Sequence, residues 1–162
     1  MRMDKAWLDI IKGQEEQLLF ETFDRDDALQ IGLAIINLAR QKYKGDVAIS
    51  IIEDNLEVFS HKMAATSAEN EVWIFKKLNM CKATGVSSLR AGLEIESGLR
   101  KEPRQGRDDV YVGCGGGLPV KMKKGGTFAY IIVSGLEHYD DHQIIVDAVA
   151  GYLKIEVTAI GV

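Results

Sequence analysis

The sequence predicts an α+β domain in which helices cover an antiparallel sheet. The candidate strands come mostly as pairs joined by short turns, which is typical of antiparallel hairpins. Helical patterns lie before, between and after these pairs. The length of 162 residues suits one domain with one hydrophobic core. Residues 1–162 are therefore expected to fold as a single unit.

The first two helices are predicted from apolar spacing and from charge. Apolar residues within residues 1–22 recur at spacings that suit a helix docking one face on a neighbour, either in this chain or in another subunit. A second helix is expected over Ala28 to Ala39, because the acids of Asp24 to Asp27 precede it and lysines follow it. Gly45 is expected to stop this second helix.

A hairpin and two more helices follow. Val47 to Ile52 and Leu56 to His61 are expected to pair as strands around a tight turn. Thr66 or Ser67 caps the next helix, which continues to Gly85, and Ser87 or Ser88 caps a shorter one.

The second half begins with a charged loop and ends with a hairpin and a helix. Residues 99–109 hold a proline, a glycine and many charges, so they are expected to form a surface loop. Strands are predicted over Val110 to Val112, Leu118 to Met122 and Thr127 to Val133, the last two joined by a turn at Gly125-Gly126. The last helix follows this hairpin.

Charge and cysteine content exclude several classes of protein. A net charge of −4 and a pI near 5.4 argue against a dedicated nucleic-acid-binding protein, which needs a positive surface. Cys81 and Cys114 lie far apart, so we expect free thiols in a reducing compartment. No apolar stretch has the length of a membrane span. The chain is therefore expected to be cytoplasmic, with no nucleic-acid or membrane partner.

Glycines cluster at Gly113, Gly115, Gly116 and Gly117. Neither GxGxxG nor GxxxxGK[ST] is present, so the cluster favours tight turns or close backbone approach over a phosphate loop. The same region contains two histidines, which raise the question of a metal site.

His138 and His142 are four residues apart, a spacing that can place two imidazoles on one helix face for a metal. Asp140 or Asp141 is expected to cap the last helix, which would leave His138 before the cap and only His142 inside. His61 is a candidate third ligand. Solvated histidines at an acidic helix start are the alternative interpretation.

A second candidate site lies on the third helix. Asn70, Trp73 and Lys77 fall at positions i, i+3 and i+7, so a helix aligns an amide, an indole and a cation along one face. Such a face can bind a flat or anionic ligand. Alternatively, Trp73 anchors the core and the two polar residues cover its edge.

Several segments carry a family resemblance. GGLPVKM, GTFAYIIVSGL and HYDDHQIIVDAVAGYL in the C-terminal third resemble the GlcG/HbpS-like proteins, often labelled "haem-degrading domain" proteins. NEVWIFKK, from Asn70 to Lys77, is similar to the N-x-x-W-I-x-R-K signature of one branch of that family. Lys76 stands where this signature has arginine, and Glu137 stands where a proline is common.

The resemblance implies a profilin-like, three-layer α/β/α fold with a central antiparallel sheet, assembled into a homo-oligomer. It also implies haem or iron as a ligand, with weak haem degradation as an extension. His138 or His142 would then offer a nitrogen to the iron, and the lysines of the signature would engage the propionates. The residues expected to line the ligand site are Asn70, Trp73, Lys76 and Lys77.

Two functional hypotheses therefore stand side by side. The first is a haem- or iron-binding protein with some haem-degrading activity. The second is a non-enzymatic oligomeric module that senses a ligand or docks a partner protein. The two differ in turnover, because only an enzyme consumes haem with a reductant. A third hypothesis, action on a small hydroxy or keto acid, depends only on the wider family's association with glycolate utilisation.

Overall fold

The structure, a computed structural model, describes residues 5–161. Over these residues the chain forms five helices and five strands, and a π-helical turn over Ala39–Tyr43 extends the second helix. The helices are α1 (Lys5–Gln17), α2 (Arg25–Leu38), α3 (Ala68–Thr84), α4 (Ser88–Glu96) and α5 (His138–Leu153). The strands are β1 (Leu19–Phe20), β2 (Ala48–Glu53), β3 (Leu56–Lys62), β4 (Gly117–Met122) and β5 (Thr127–Ser134).

The five strands form one sheet in the order β1-β4-β5-β2-β3. The pairs β4–β5, β5–β2 and β2–β3 are antiparallel, as predicted, whereas β1 pairs with β4 in parallel. The parallel strand was not predicted, because two residues are too short to show a strand pattern in the sequence. The sheet is therefore mixed, and the α+β class is confirmed.

Helices cover both faces of the sheet. On one face, α2 and α5 pack on alternate residues of the central strands, including Ile49, Ile51 and Ile131. On the other face, Ile74 of α3 packs against Ile132 and its neighbours. This arrangement gives the three-layer α/β/α architecture that the family resemblance implied.

The N-terminal helix packs on α4 of the same chain. Leu8 and Ile11 are buried against Leu89 and Leu93 of α4, and Ile160 near the C-terminus joins this cluster. The apolar face of α1 is therefore covered by this chain. The sequence alone allowed either this chain or another subunit to cover it. The predicted helix over residues 1–22 is shorter, since α1 ends at Gln17, and its first four residues lie outside the described part of the chain.

Side-chain caps fix three helix starts. The caps of α3 and α4 lie at predicted residues, whereas α2 begins at Arg25, three residues before its predicted start. Asp24 caps α2 and Ser67 caps α3, each in a reciprocal capping box with the residue three positions later. The Ser87 side chain accepts a hydrogen bond from the backbone N–H of Arg90 at the start of α4. These local signals are visible in sequence because they depend on residues only three positions apart.

Three predicted boundaries are wrong. A π-helical turn carries the second helix past its predicted end at Ala39, and the left-handed residue that stops it is Lys44, at φ 58°, and not Gly45. Residues 110–112 form a turn and irregular backbone and not a strand. The last helix begins at His138 with Glu137 as its N-cap residue, because Asp141 bonds to the preceding turn instead of capping.

No helix within residues 5–161 combines the length and apolar character needed to cross a membrane. Cys81 and Cys114 are both free of disulfides, as expected.

Close backbone contact explains part of the glycine cluster, as the sequence predicted. A Cβ added to Gly92 of α4 would lie 1.9 Å from the carbonyl oxygen of Gly113, and one added to Gly113 would lie 2.5 Å from the Gly92 Cα. Neither neighbour is a flexible side chain that can move aside. These two glycines therefore hold the segment before β4 directly against α4.

We expect Gly92→Ala to lower the free energy of unfolding by at least about 2 kcal/mol, because backbone must shift to admit the methyl group. Gly13→Ala is the matched control, since Gly13 lies inside α1 with nothing within 4 Å of an added Cβ. The control should gain about 0.5–1 kcal/mol of stability from higher helix propensity. Urea unfolding measures both, and a neutral Gly92→Ala variant would contradict the packing described.

Candidate functional site

A pocket of about 320 Å³ opens between α3 and the junction of β5 with α5. It gathers most of the residues that the sequence singled out, although these come from distant parts of the chain. Its lining includes Asn70, Trp73, Lys77, Ser134, His138 and Asp141. We call it the polar pocket.

A buried ion pair lies at the wall of the polar pocket. Lys77 Nζ is 3.1 Å from Asp141 Oδ2, and both side chains are 3% exposed. The same ammonium donates to the backbone oxygen of Val133 at 2.8 Å. Asp141 in turn accepts hydrogen bonds from the backbone N–H groups of Gly135, at 3.3 Å, and Leu136, at 2.8 Å. The pair therefore joins α3, β5 and α5 at one point.

The pair changes the interpretation of Lys77. Burial raises the pKa of Asp141 to about 6, against the lowering effects of Lys77 and of two backbone donors. A buried ammonium is stable only with such partners. Lys77 lines the pocket, but Asp141 already balances its charge.

The Asn70 side chain makes two hydrogen bonds at the other side of the pocket. Its Oδ1 accepts the backbone N–H of Ser67 in the capping box at 2.9 Å, and its Nδ2 donates to Ser134 Oγ at 3.1 Å. The first bond fixes the start of α3, and the second ties α3 to the end of β5. Asn70 is thus held rigidly in the pocket wall.

His138 has a defined tautomer. Its Nδ1 accepts the backbone N–H of Gly115 at 3.1 Å, so in the neutral ring the proton lies on Nε2. Burial, together with the charge of Lys77, lowers the pKa of His138. His138 is therefore a neutral hydrogen-bond donor near pH 7.

His142 lies apart from the polar pocket. It is fully buried, and its Nε2 is 2.8 Å from Oε1 of Gln14 on α1. The Gln14 amide nitrogen donates to the backbone oxygen of Thr158 at 2.8 Å, so Gln14 Oε1 accepts from His142 Nε2–H. Within residues 5–161, His142 Nδ1 is the one buried side-chain polar atom without a hydrogen-bond partner. Burial lowers the pKa of His142 to about 4.

The structure does not bring the candidate metal ligands together. His138 lines the polar pocket, His142 contacts α1, and His61 lies on the edge strand β3. The part of the chain that the structure describes contains no group of three or more His, Cys, Asp or Glu side chains placed to hold a metal ion. His138 uses the lone pair of its Nδ1 to accept the Gly115 N–H, whereas the lone pair of His142 Nδ1 is buried away from the polar pocket.

A second pocket of about 360 Å³ adjoins the first beneath the loop of residues 99–113, and both pockets include Trp73 and Cys114 in their walls. We call it the loop pocket. Its lining combines apolar side chains such as Met80 and Tyr111 with the cation of Lys76. Lys76 Nζ lies 5.3 Å from the centre of the Trp73 ring, which is a cation–π contact.

The sequence missed several residues of the polar pocket, including Cys114, Ser134 and Asp141. Asp141 had one usable signal, since it lies three residues after His138 and thus on the same helix face. Cys114 had no signal beyond its place among glycines. Burial raises the pKa of the Cys114 thiol, so the thiol is protonated near pH 7 and is a weak nucleophile.

Comparison with known proteins now adds to this geometry. The model of the family described as "Haem degrading protein HbpS-like" matches residues 23–150. This chain belongs to that family. A UPF0303 protein of Yersinia pseudotuberculosis serotype O:3 (strain YPIII) is 31% identical over 150 residues, which cover 90% of this chain and 86% of the relative.

Two solved structures show the same fold. The crystal structure of the Ybr137w protein superposes with a TM-score of 0.83 at 23% identity and covers 94% of this chain and 92% of that one. The crystal structure of a PduOC:heme complex gives a TM-score of 0.67 at 20% identity and covers 85% of this chain and 98% of that one.

The buried His142 predicts a specific pH dependence of stability. Its folded pKa is about 4, below its unfolded value of 6.5, so only the unfolded chain gains a proton as the pH falls between these values. The stabilising effect of burying the neutral ring is therefore fully present above pH 6.5. As the pH falls from 6.5 to 4, this effect is lost and the free energy of unfolding decreases by about 3 kcal/mol.

This dependence is measured by urea unfolding at several pH values between 7 and 4, for the native chain and for His142→Gln. The variant keeps a donor toward Gln14 but has no ring to protonate, so its loss of stability should be smaller by about 3 kcal/mol at pH 4. Effects of Asp141 and other groups are common to both proteins and cancel in the difference. Parallel pH profiles would contradict the account of His142.

Proposed function

We propose that this chain binds haem or a closely related tetrapyrrole in the two pockets that meet at Trp73. The observation that carries the proposal is the position of this half-buried indole, which lines both pockets and has Lys76 over its ring. An indole face stacks well on a flat macrocycle. The family match and the fold shared with a PduOC:heme complex support the same ligand class.

The two pockets offer different surroundings to such a ligand. Each has a volume in the range of small-molecule sites, and the two pockets share Trp73 and Cys114 in their walls. The loop pocket provides apolar contact for the ring system through Met80 and Tyr111. Charged side chains of both signs also line it, namely Lys76, Arg104 and Arg107 together with Glu96, Glu102 and Asp108. Its cations can pair with the carboxylates that tetrapyrroles carry.

His138 and His142 are poorly placed to coordinate the iron of haem, whereas the other pocket residues can contact the macrocycle. A neutral imidazole coordinates a metal through an unprotonated nitrogen. His138 uses its unprotonated Nδ1 to accept the Gly115 N–H, and His142 lies outside both pockets. The proposal therefore concerns recognition of the macrocycle and its carboxylates and derives no step at the iron.

The alternative, a non-enzymatic assembly or protein-interaction module, has one observation in its favour. Large apolar side chains are exposed on α2 and α3, the helices that cover opposite faces of the sheet. On α2, Leu29 is 43% and Leu33 is 48% exposed, and on α3, Val72 is 51% and Phe75 is 53% exposed. Such surfaces are typical of contacts with another protein or with a second copy of the chain.

Titration of the purified chain with haemin tests the proposal by absorbance. We expect a saturable Soret change, and we expect Trp73→Ala to raise the Kd about tenfold through loss of the stacking surface. Lys76→Ala should also weaken binding, by a few-fold, because it removes a cation near the carboxylates. Lys124→Ala, an exposed lysine in the β4–β5 turn, is the matched control and should leave the Kd unchanged.

The same sample separates the two functions. A Soret band that decays after ascorbate is added indicates turnover, and a stable band indicates binding alone. Absence of a saturable band would overturn the proposal. If light scattering of that sample then gave a mass above the 17.9 kDa of one chain, the assembly module would be favoured.

A further inference from the structure

Several side chains that line the polar pocket can donate hydrogen bonds, whereas an iron ion is coordinated by lone pairs. His138 presents an Nε2–H, because its Nδ1 is turned to the backbone of Gly115, which is not part of the pocket lining. The hydroxyl of Ser134 accepts from Asn70 through its oxygen, so its own proton is left to donate. Two of the three N–H groups of Lys77 are matched by Val133 and Asp141.

The polar pocket offers an anion hydrogen-bond donors and, among the lining residues that the structure describes, no unpaired positive charge. The carboxylate of Asp141 is held by Lys77 and by two backbone N–H groups, so its lone pairs are engaged away from a ligand. Glu69 is exposed at the rim and is in contact with solvent, which screens it. The neutral ring of His138 donates without adding a charge that would need its own partner.

We propose that the polar pocket binds a carboxylate and that His138 holds it as a hydrogen-bond donor through Nε2–H, not as a metal ligand. The carboxylate belongs either to a tetrapyrrole side chain or to a free carboxylic acid. The first source depends on the proposed function, and the second does not. In both cases the Gly115 N–H fixes the tautomer, so the backbone of the glycine-rich segment determines what His138 can bind.

Four probes separate the possible roles of His138. Haemin and iron-free protoporphyrin IX share two carboxylates and differ in the iron. Protoporphyrin IX dimethyl ester keeps the macrocycle without free carboxylates, and benzoate offers a flat carboxylate without a macrocycle. Each is titrated against the native chain, His138→Ala, His138→Gln and the control His61→Ala, whose histidine is exposed on β3.

We expect His138→Ala to raise the Kd for haemin and for iron-free protoporphyrin by the same factor, about tenfold, because both lose one hydrogen bond to a charged group. His138→Gln should recover part of this loss, since its amide N–H can also donate. The dimethyl ester should bind the native chain more weakly and should be insensitive to His138→Ala. His61→Ala should change none of these values.

Each other outcome overturns one claim or both. If His138→Ala weakens haemin but not iron-free protoporphyrin, His138 ligates iron and the inference is wrong, although the proposed function stands. If the ester binds as tightly as the acid, the carboxylate site is absent. If benzoate binds in a His138-dependent manner but no porphyrin binds, the inference stands and the proposed function fails. If neither porphyrins nor benzoate bind, both fail.

A measurement without ligand checks the chemical basis of the inference. Long-range ¹H–¹⁵N correlation spectra of the free protein identify which ring nitrogen of His138 is protonated. We expect the proton on Nε2 at pH 7, and His138→Gln identifies the signal by its loss. A proton on Nδ1 would overturn the proposed donor role.

Discussion

The buried ion pair between Lys77 and Asp141 joins the elements that build the candidate site. Burying two charges is unfavourable unless each is fully partnered, and here Val133, Gly135 and Leu136 supply the remaining hydrogen bonds. These partners require that α3, the end of β5 and the start of α5 meet at one point. The polar pocket lies at that meeting point, so its shape depends on the pair.

The pair also limits which residues can surround it. A Cβ on Gly116 would lie 2.7 Å from Lys77 Nζ and 2.3 Å from the Val133 oxygen, and the residue adopts φ 121°. A side chain here would displace the ammonium from its partners. The positive φ and the close approach of the Val133 oxygen and the Lys77 ammonium thus account for glycine at this position. Its neighbour Gly115 fixes the His138 tautomer, so this glycine segment shapes both the polar wall and its donor.

Features determined by neighbouring residues could be predicted from the sequence, whereas long-range contacts could not. The cap at Ser67 and the two hairpins depend on local patterns and were predicted, whereas the acids before α2 were recognised without identifying Asp24 as the cap. The i, i+3, i+7 face of α3 correctly placed Asn70, Trp73 and Lys77 on one pocket, although their role in binding stays a prediction.

The pairing of Lys77 with Asp141 spans 64 residues and has no local signal. The same holds for the contact of His142 with Gln14, which separates two histidines that their spacing suggested would act together.

A double-mutant cycle on the ion pair tests this account most directly. The free energy of unfolding in urea is measured for the native chain, Lys77→Met, Asp141→Asn and the double variant. If the pair organises the site, each single change costs about 3–5 kcal/mol, because it leaves a buried group without its partner. The double variant then costs clearly less than the sum, with a coupling energy of about 2–3 kcal/mol. Additive losses, or single variants as stable as the native chain, would show that the pair does not hold these elements together.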